Sequence, residues 1–111
     1  MNKYRNRKTV TLTGEVFDSR REAKRYAELA VLAKAGYIKD LRRQVKYVLI
    51  PKQRTKSGKA YRECAYVADF VYTDTRTGEQ TVEDSKGFRT PEYRIKQKLM
   101  LYIHGIEVVE T

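Results

Sequence analysis

The fold of this chain is decided by residues 65–86, which read AYVADFVYTDTRTGEQTVEDSK. The run 65–72, rich in β-branched and aromatic residues, and the run 79–86, which contains Thr81 and Val82, flank a polar turn, 73–78, that contains a glycine. Runs of this kind on either side of a glycine-containing turn predict a β-hairpin.

The register of this hairpin brings two carboxylates together. A turn centred between Arg76 and Thr77 places Asp69 opposite Asp84. Since side chains two apart in a strand share a face, the hairpin has one face that carries Val67, Asp69, Val71, Val82, Asp84 and Lys86. Directly opposed β-carbons lie about 4.5–5.5 Å apart, where two like charges destabilise a sheet. A divalent cation that prefers oxygen ligands would relieve this repulsion.

A simpler interpretation is that both aspartates are surface residues neutralised by nearby lysines. A slip of one residue would also place them on opposite faces and remove the argument. Against the surface interpretation, Asp69 lies inside the apolar run 65–72, where a buried and unpaired charge is costly.

The charge balance favours nucleic acid as a partner. The 111 residues contain 24 Lys and Arg and 14 Asp and Glu, which gives a formal net charge of +10. The segment 42–62 contains no acid and these cations: Arg42, Arg43, Lys46, Lys52, Arg54, Lys56, Lys59 and Arg62. Such a surface attracts a phosphate backbone, although a solvated basic face without a ligand is the simpler alternative.

The residue types that are rare or missing exclude other chemistries. Cys64 and His104 are the only residues of their types, which excludes an internal disulfide and a Cys/His zinc site. No Gly-rich phosphate loop, dinucleotide motif or Ser/His/Asp arrangement is present, so we expect no small organic cofactor. There is no apolar run of about eighteen residues, and we expect a cytoplasmic protein without membrane contact.

Capping patterns predict two main helices. The first begins after Ser19, which forms a Ser-x-x-Glu capping box with Glu22, and continues to Ala35. The second begins at Thr90-Pro91 and ends at Gly105. Its predicted buried stripe consists of Ile95, Leu99, Tyr102 and Ile103.

The remaining segments predict strands. After a basic N-terminal arm, 1–8, residues 8–17 predict a short hairpin, and 44–50, 60–72, 79–86 and 106–109 predict further strands. We therefore expect one domain, 1–111, of the α/β (α+β) class. Its central mixed and mostly antiparallel sheet would be flanked by two main helices.

Asp69 followed by Asp84-Ser85-Lys86 resembles the motif of the PD-(D/E)xK nuclease superfamily, which includes restriction enzymes and Holliday-junction resolvases. More narrowly, the chain resembles small phage and prophage nucleases of that superfamily. The resemblance covers nearly the whole chain and rests on 3–8, 17–23 with Tyr26, Gln44, 68–70 and 82–87. Ala68 stands where the superfamily name has proline, a residue that ligates nothing.

The resemblance implies a restriction-endonuclease-like core and a magnesium or manganese site. Asp69, Asp84 and Glu22 would be the metal ligands, and Lys86 would either orient and help to deprotonate the attacking water or stabilise charge on the transferring phosphate. The capping box alone also explains a glutamate at position 22. Glu83 alternates away from Asp84 and lies outside the expected site.

The expected function is that of a magnesium-dependent endodeoxyribonuclease in phage DNA processing, in the cytoplasm of a bacterial host. Analogy within the superfamily makes branched DNA such as a Holliday junction one candidate substrate beside linear and nicked DNA, and a homodimer would supply the two cuts of a junction. The expected DNA-binding residues are Arg5, Arg7, Lys8, Arg42, Arg43, Gln44, Lys46, Lys96 and Lys98. The alternative is a non-catalytic, basic nucleic-acid-binding protein.

Overall fold

The computed structural model describes residues 8–10, 14–85 and 88–111, and the predicted site residues Arg5, Arg7 and Lys86 lie outside them. The elements, in chain order, are β1 (Thr9–Val10), β2 (Val16–Phe17), α1 (Arg20–Lys34), β3 (Ile38–Ile50), β4 (Gln53–Arg54), β5 (Ala60–Tyr61), β6 (Cys64–Asp74), β7 (Gln80–Asp84), α2 (Pro91–His104) and β8 (Val109–Glu110).

The central sheet has four strands in the order β3-β6-β7-β8, and β1-β2 and β4-β5 form separate two-stranded sheets. Strand β6 pairs antiparallel with both β3 and β7, whereas β7 pairs parallel with β8. The predicted class, a mixed sheet with two helices, is confirmed, and the arrangement is consistent with a restriction-endonuclease-like core. Strand β3 begins earlier than predicted, and the predicted strand 60–72 is divided into β5 and β6.

The register of the β6–β7 hairpin is the predicted one, with Val71 opposite Val82 and Phe70 opposite Glu83. The turn is held by Asp74, whose Oδ1 accepts hydrogen bonds from the backbone N–H groups of Arg76 at 2.8 Å and Thr77 at 3.1 Å. An aspartate that binds the backbone two and three residues ahead closes a tight turn. This turn therefore determines which residues of β6 and β7 face each other.

Helix α1 begins where the capping pattern predicts. Ser19 is its N-cap, and the Ser19 hydroxyl accepts a hydrogen bond from the Glu22 backbone N–H at 3.1 Å. Leu29 packs with Phe17, Ile38 and Phe70 in one buried cluster, which places α1 over one face of the sheet.

Helix α2 has the predicted ends but not the predicted buried face. Thr90 is its N-cap, and Gly105 ends it with φ 68°, a conformation that favours glycine. Of the predicted stripe, Leu99 packs against the core, but the stripe is wrong at Ile95, 58% exposed, and Tyr102, 87% exposed, whereas Met100 is fully buried. Apolar residues lie on several sides of α2, and the side with Tyr93 and Met100, two turns apart, is the one that packs on the sheet. Among the described residues, no helix has the length and apolarity needed to cross a membrane.

Both faces of the sheet are covered. Phe70 and Val71 are adjacent and fully buried, and Phe70 packs in the α1 cluster whereas Val71 packs with Met100 of α2. The single face predicted for residues 67–71 is wrong, because Val67 is 44% exposed and Ala68 shares the cluster of Val71. Beside this stretch of β6, Gln44 of β3 has φ 53°, in the left-handed region, and not the extended conformation of a regular strand.

Candidate active site

Glu22 projects from the first turn of α1 toward β3. Its side chain is buried, and Oε1 accepts a hydrogen bond from Nε2 of Gln44 at 3.1 Å. The same oxygen lies 3.6 Å from Nη2 of Arg43. Capping therefore explains the hydrogen bond of the Glu22 backbone N–H to Ser19. The carboxylate of Glu22 has its partners outside the helix, in Arg43 and Gln44.

The pKa of Glu22 is raised above its ordinary value. Burial is the main cause and the negative charge of Asp18 adds to it, whereas Arg43 and the Gln44 amide act in the opposite direction. A raised carboxylate pKa means that the surroundings disfavour further negative charge. A bound cation would reverse that balance.

Asp69 connects three strands of the central sheet. It lies on β6 beside Gln44 of the paired strand β3, and Oδ1 of Asp69 is 3.4 Å from Nε2 of Gln44. Its other oxygen, Oδ2, accepts a hydrogen bond from the backbone N–H of Ser85 at 2.8 Å, just beyond the end of β7. One amide, that of Gln44, thus contacts the carboxylates of both Glu22 and Asp69.

Asp84, the last residue of β7, is 2% exposed. Its Oδ2 accepts a hydrogen bond from the Tyr66 hydroxyl at 2.5 Å. Burial and this bond raise the pKa of the Tyr66 phenol, so Tyr66 stays a hydrogen-bond donor. Tyr66 packs with Tyr93 and Met100, so the Asp84 side chain points to the α2 side, whereas Asp69 reaches toward Glu22 of α1.

The side chain of Glu83 points to the α1 side of the sheet, away from that of Asp84, as expected. Its carboxylate, 1% exposed, receives two hydrogen bonds from Arg25 of α1, Nε to Oε1 at 2.9 Å and Nη2 to Oε2 at 2.7 Å. The Tyr72 hydroxyl also donates to it, and burial together with that bond raises the pKa of Tyr72 to about 12. This buried network joins α1 to the sheet.

A basic cavity of about 460 Å³ adjoins the Asp69 site through Ser85. It is lined by Arg20, Arg21, Lys24, Arg25, Glu28, Ser85 and Thr111. Arg20, Arg21 and Lys24 are not among the DNA-binding residues predicted from the sequence, although 20–25 reads RREAKR. Positions 20 and 24 lie one helical turn apart, and this spacing indicates that their two cations share one face of the helix.

The DNA-binding residues predicted from the sequence have different surroundings. Lys8, Arg42, Gln44, Lys46 and Lys98 are exposed. Lys46 forms an ion pair with Glu63, and Lys96 forms one with Glu92 at 3.1 Å.

Arg43 is partly buried and packs against β2. Its guanidinium lies 3.8 Å from the centre of the Phe17 ring and donates to the Val16 carbonyl at 2.9 Å. It therefore connects β2 to the edge of the Glu22 site.

The donors available for a metal are carboxylate oxygens, the ligands that suit magnesium and manganese. Within residues 8–10, 14–85 and 88–111, no three acidic, histidine or cysteine side chains come close enough to hold a metal together. Magnesium usually keeps several waters and binds through one or two carboxylates together with substrate phosphate. Asp69 with Glu22 or Asp84 fits that requirement, whereas a site built entirely from protein ligands does not.

Comparisons with known proteins place the chain in a family. The curated proteins and the solved structures contain no significant match. The model of a family described as a protein of unknown function, DUF1064, matches residues 1–107. That match spans every candidate site residue and all elements except β8. The chain belongs to the DUF1064 family.

Proposed function

We propose that this protein is a metal-dependent endonuclease that hydrolyses DNA phosphodiester bonds. Asp69 with either Glu22 or Asp84 would hold magnesium or manganese together with water and substrate phosphate, and Lys86 would act on the attacking water. The observation that carries the proposal is the Gln44 amide, which contacts the carboxylates of both Glu22 and Asp69. Glu22, Gln44 and Asp69 come from three different elements, and Glu22 and Asp69 are two of the ligands that the PD-(D/E)xK resemblance implies.

The surrounding residues position the carboxylates. The Ser85 N–H orients Asp69, the Tyr66 hydroxyl orients Asp84, and Gln44 holds Glu22 and Asp69 near each other. Such supporting hydrogen bonds keep ligands in one arrangement before substrate arrives. A bound divalent ion would lower the pKa of a water and offset negative charge on the phosphate.

Lys86 follows Ser85 in the chain. In the proposed reaction the water oxygen forms a bond to phosphorus, and the bond from phosphorus to one sugar oxygen breaks. The water loses its proton and the departing sugar oxygen gains one. Lys86 would orient the water and offset the charge that develops on the phosphate oxygens.

The basic cavity beside Ser85 supports DNA as the substrate. Arg20 and Lys24 line it on one side of α1, and Arg21 adds a third cation. A concave basic surface next to a carboxylate cluster attracts a phosphate backbone and brings it to the cluster. We place one phosphate of the cut strand there.

Incubation of the protein with a labelled four-way junction and a matched linear duplex, in magnesium or in EDTA, tests the proposal. Cutting that requires magnesium and is lost in Asp84→Ala supports the nuclease, and the ratio of the two rates identifies the preferred DNA. Binding to both substrates without cutting, in magnesium and in manganese, contradicts it.

The second candidate is a non-catalytic, basic nucleic-acid-binding protein, which the net charge of +10 favours. In that case Asp84→Ala changes DNA binding only through stability. Under the nuclease proposal the same variant binds DNA as well as the wild type or more tightly, because a carboxylate that repels phosphate is removed.

We also propose that two copies act together, because resolving a branched junction needs two cuts and each chain has one candidate site. We further propose that the protein acts in phage DNA processing within a bacterial cytoplasm. The mass in solution, measured with and without junction DNA, tests the assembly. A monomer under both conditions contradicts it.

A further inference from the structure

Residues 51–63, here called the ribbon, connect β3 to β6 and contain the antiparallel strands β4 and β5. Every residue of the ribbon is exposed. A segment whose residues are all exposed contributes little to the hydrophobic core. Packing therefore does not explain why the chain forms a ribbon here.

Local hydrogen bonds give the ribbon a defined shape. At its tip, the Thr55 N–H donates to the Lys59 carbonyl at 2.8 Å and the Gly58 N–H donates to the Thr55 carbonyl at 3.0 Å. Nη1 of Arg54 donates to the Gly58 carbonyl at 2.7 Å, and Gly58 has φ 92°, which favours glycine. The result is a closed two-stranded ribbon attached at both ends to long strands of the sheet.

The ribbon is strongly basic. Its thirteen residues contain one acid, Glu63, and five cations: Lys52, Arg54, Lys56, Lys59 and Arg62. Glu63 is already paired with Lys46 of β3. Within the described part of the chain, none of the five cations forms an ion pair. Uncompensated cations on a projecting segment gain most from contact with a polyanion.

The two-stranded shape of the ribbon favours duplex DNA over double-stranded RNA as the polyanion. The major groove of B-form DNA admits a two-stranded β-ribbon, whereas the major groove of double-stranded RNA is deep and too narrow for side chains to read. Tyr61, 47% exposed on β5, adds an aromatic ring for contact with sugar or base edges.

We infer that the ribbon is a second DNA-binding element, which enters a groove of duplex DNA at a distance from the candidate active site. The inference rests on the proposed DNA substrate but does not require cleavage. Ile50, at the ribbon, lies six positions along β3 from Gln44, at the site. At about 3.3 Å per residue this is roughly 20 Å. The ribbon would therefore contact DNA about six base pairs from the cut, at about 3.4 Å per base pair.

Two variants that remove equal charge test this inference. The ribbon variant is Lys52→Gln/Lys56→Gln/Lys59→Gln. The control variant is Lys34→Gln/Lys39→Gln/Arg76→Gln, which changes three exposed side chains near the other end of the β3–β6 pairing. Binding of each to a duplex DNA of about 30 base pairs is measured by fluorescence anisotropy in EDTA over a range of salt. Thermal unfolding of each variant verifies that the fold is intact.

We expect the ribbon variant to bind at least about tenfold more weakly, and its salt dependence to fall by about 2.7 in log–log slope, as loss of three phosphate contacts predicts. The control variant keeps a slope close to that of the wild type. Equal weakening of both variants contradicts the inference, because net charge alone would then explain it. Unchanged binding of the ribbon variant contradicts it too.

A duplex RNA of the same sequence adds a readout of groove shape. The wild type should prefer the DNA duplex, and the ribbon variant should lose most of that preference. An equal loss of affinity for both duplexes overturns groove entry. Magnesium-dependent cutting by the wild type is measured separately, so the nuclease proposal and the ribbon inference can fail independently.

Discussion

Gln44 and Asp69 lie on the paired strands β3 and β6, and their side chains meet, with Nε2 of Gln44 3.4 Å from Oδ1 of Asp69. Gln44 reaches this position with φ 53°, in the left-handed region that costs a non-glycine residue about 1–2 kcal/mol. Such a cost at a cluster of carboxylates agrees with a functional role, because strained residues concentrate at sites of binding and chemistry.

Gln44→Gly should therefore separate stability from activity. Glycine accepts φ 53° without strain, so we expect the free energy of unfolding to stay the same or rise by up to about 1 kcal/mol. Loss of the amide should lower kcat for DNA cleavage by roughly tenfold or more and leave KM nearly unchanged, since Gln44 positions other groups. Urea unfolding and steady-state cleavage measure the two effects.

Asp40→Gly is the matched control. Asp40 is exposed and has φ 55° in the same strand. The substitution should stabilise the protein in the same way and leave cleavage at the wild-type rate. Wild-type kcat in Gln44→Gly would show that the amide does not position the carboxylates.

Arg25→Ala should destabilise the protein strongly. It removes the bidentate partner of Glu83, which is 1% exposed, and loss of one member of a buried ion pair costs about 3–5 kcal/mol. Glu83→Gln in the same background should restore part of the loss, because the buried charge is gone. Glu28→Ala removes only the exposed ion pair of Arg25 and should cost less than about 1 kcal/mol. Equal effects of Arg25→Ala and Glu28→Ala in chemical denaturation would contradict this.

Asp74 should make the stability of the hairpin depend on acid. The backbone N–H groups of Arg76 and Thr77 hold the pKa of Asp74 below its ordinary value of 3.8. The stabilisation is present above 3.8 and is lost as the pH falls through the lowered pKa, because the folded state must then take up a proton. Asp74→Ala should be less stable than the wild type at pH 7, and the difference should narrow in acid. A difference that is constant between about pH 7 and pH 2 would contradict this assignment.

The cavity beside Ser85 should affect substrate binding rather than the chemical step. Arg20→Gln/Lys24→Gln removes two of its cations, and we expect KM for duplex DNA to rise about tenfold with little change in kcat. Lys34→Gln, an exposed lysine at the other end of α1, is the control and should change neither constant. A fall in kcat without a change in KM would place these cations in the reaction instead.

The hairpin and both helix starts could be predicted because local chemistry determines them. The Asp74 turn sets the β6–β7 register, Ser19 caps α1, and Thr90 with Pro91 begins α2. These signals act over a few residues, and the sequence displays them directly.

The buried face of α2 and the Gln44 site depend on tertiary contacts. Ile95 and Tyr102 are as apolar as Met100, and only the shape of the sheet decides which side packs. No sequence pattern marks the left-handed conformation of Gln44, although it brings Gln44 to both Glu22 and Asp69.

The central claim is that the carboxylate of Asp69 is required for hydrolysis of DNA, and Asp69→Asn tests it most directly. Asparagine has nearly the same shape and keeps an oxygen that can accept the Ser85 N–H, so the fold should persist. In magnesium, single-turnover cleavage should fall about a thousandfold, since a metal supplies several kcal/mol and each 1.4 kcal/mol is about tenfold. DNA affinity in EDTA should be unchanged or higher. Wild-type cleavage by Asp69→Asn would contradict the account.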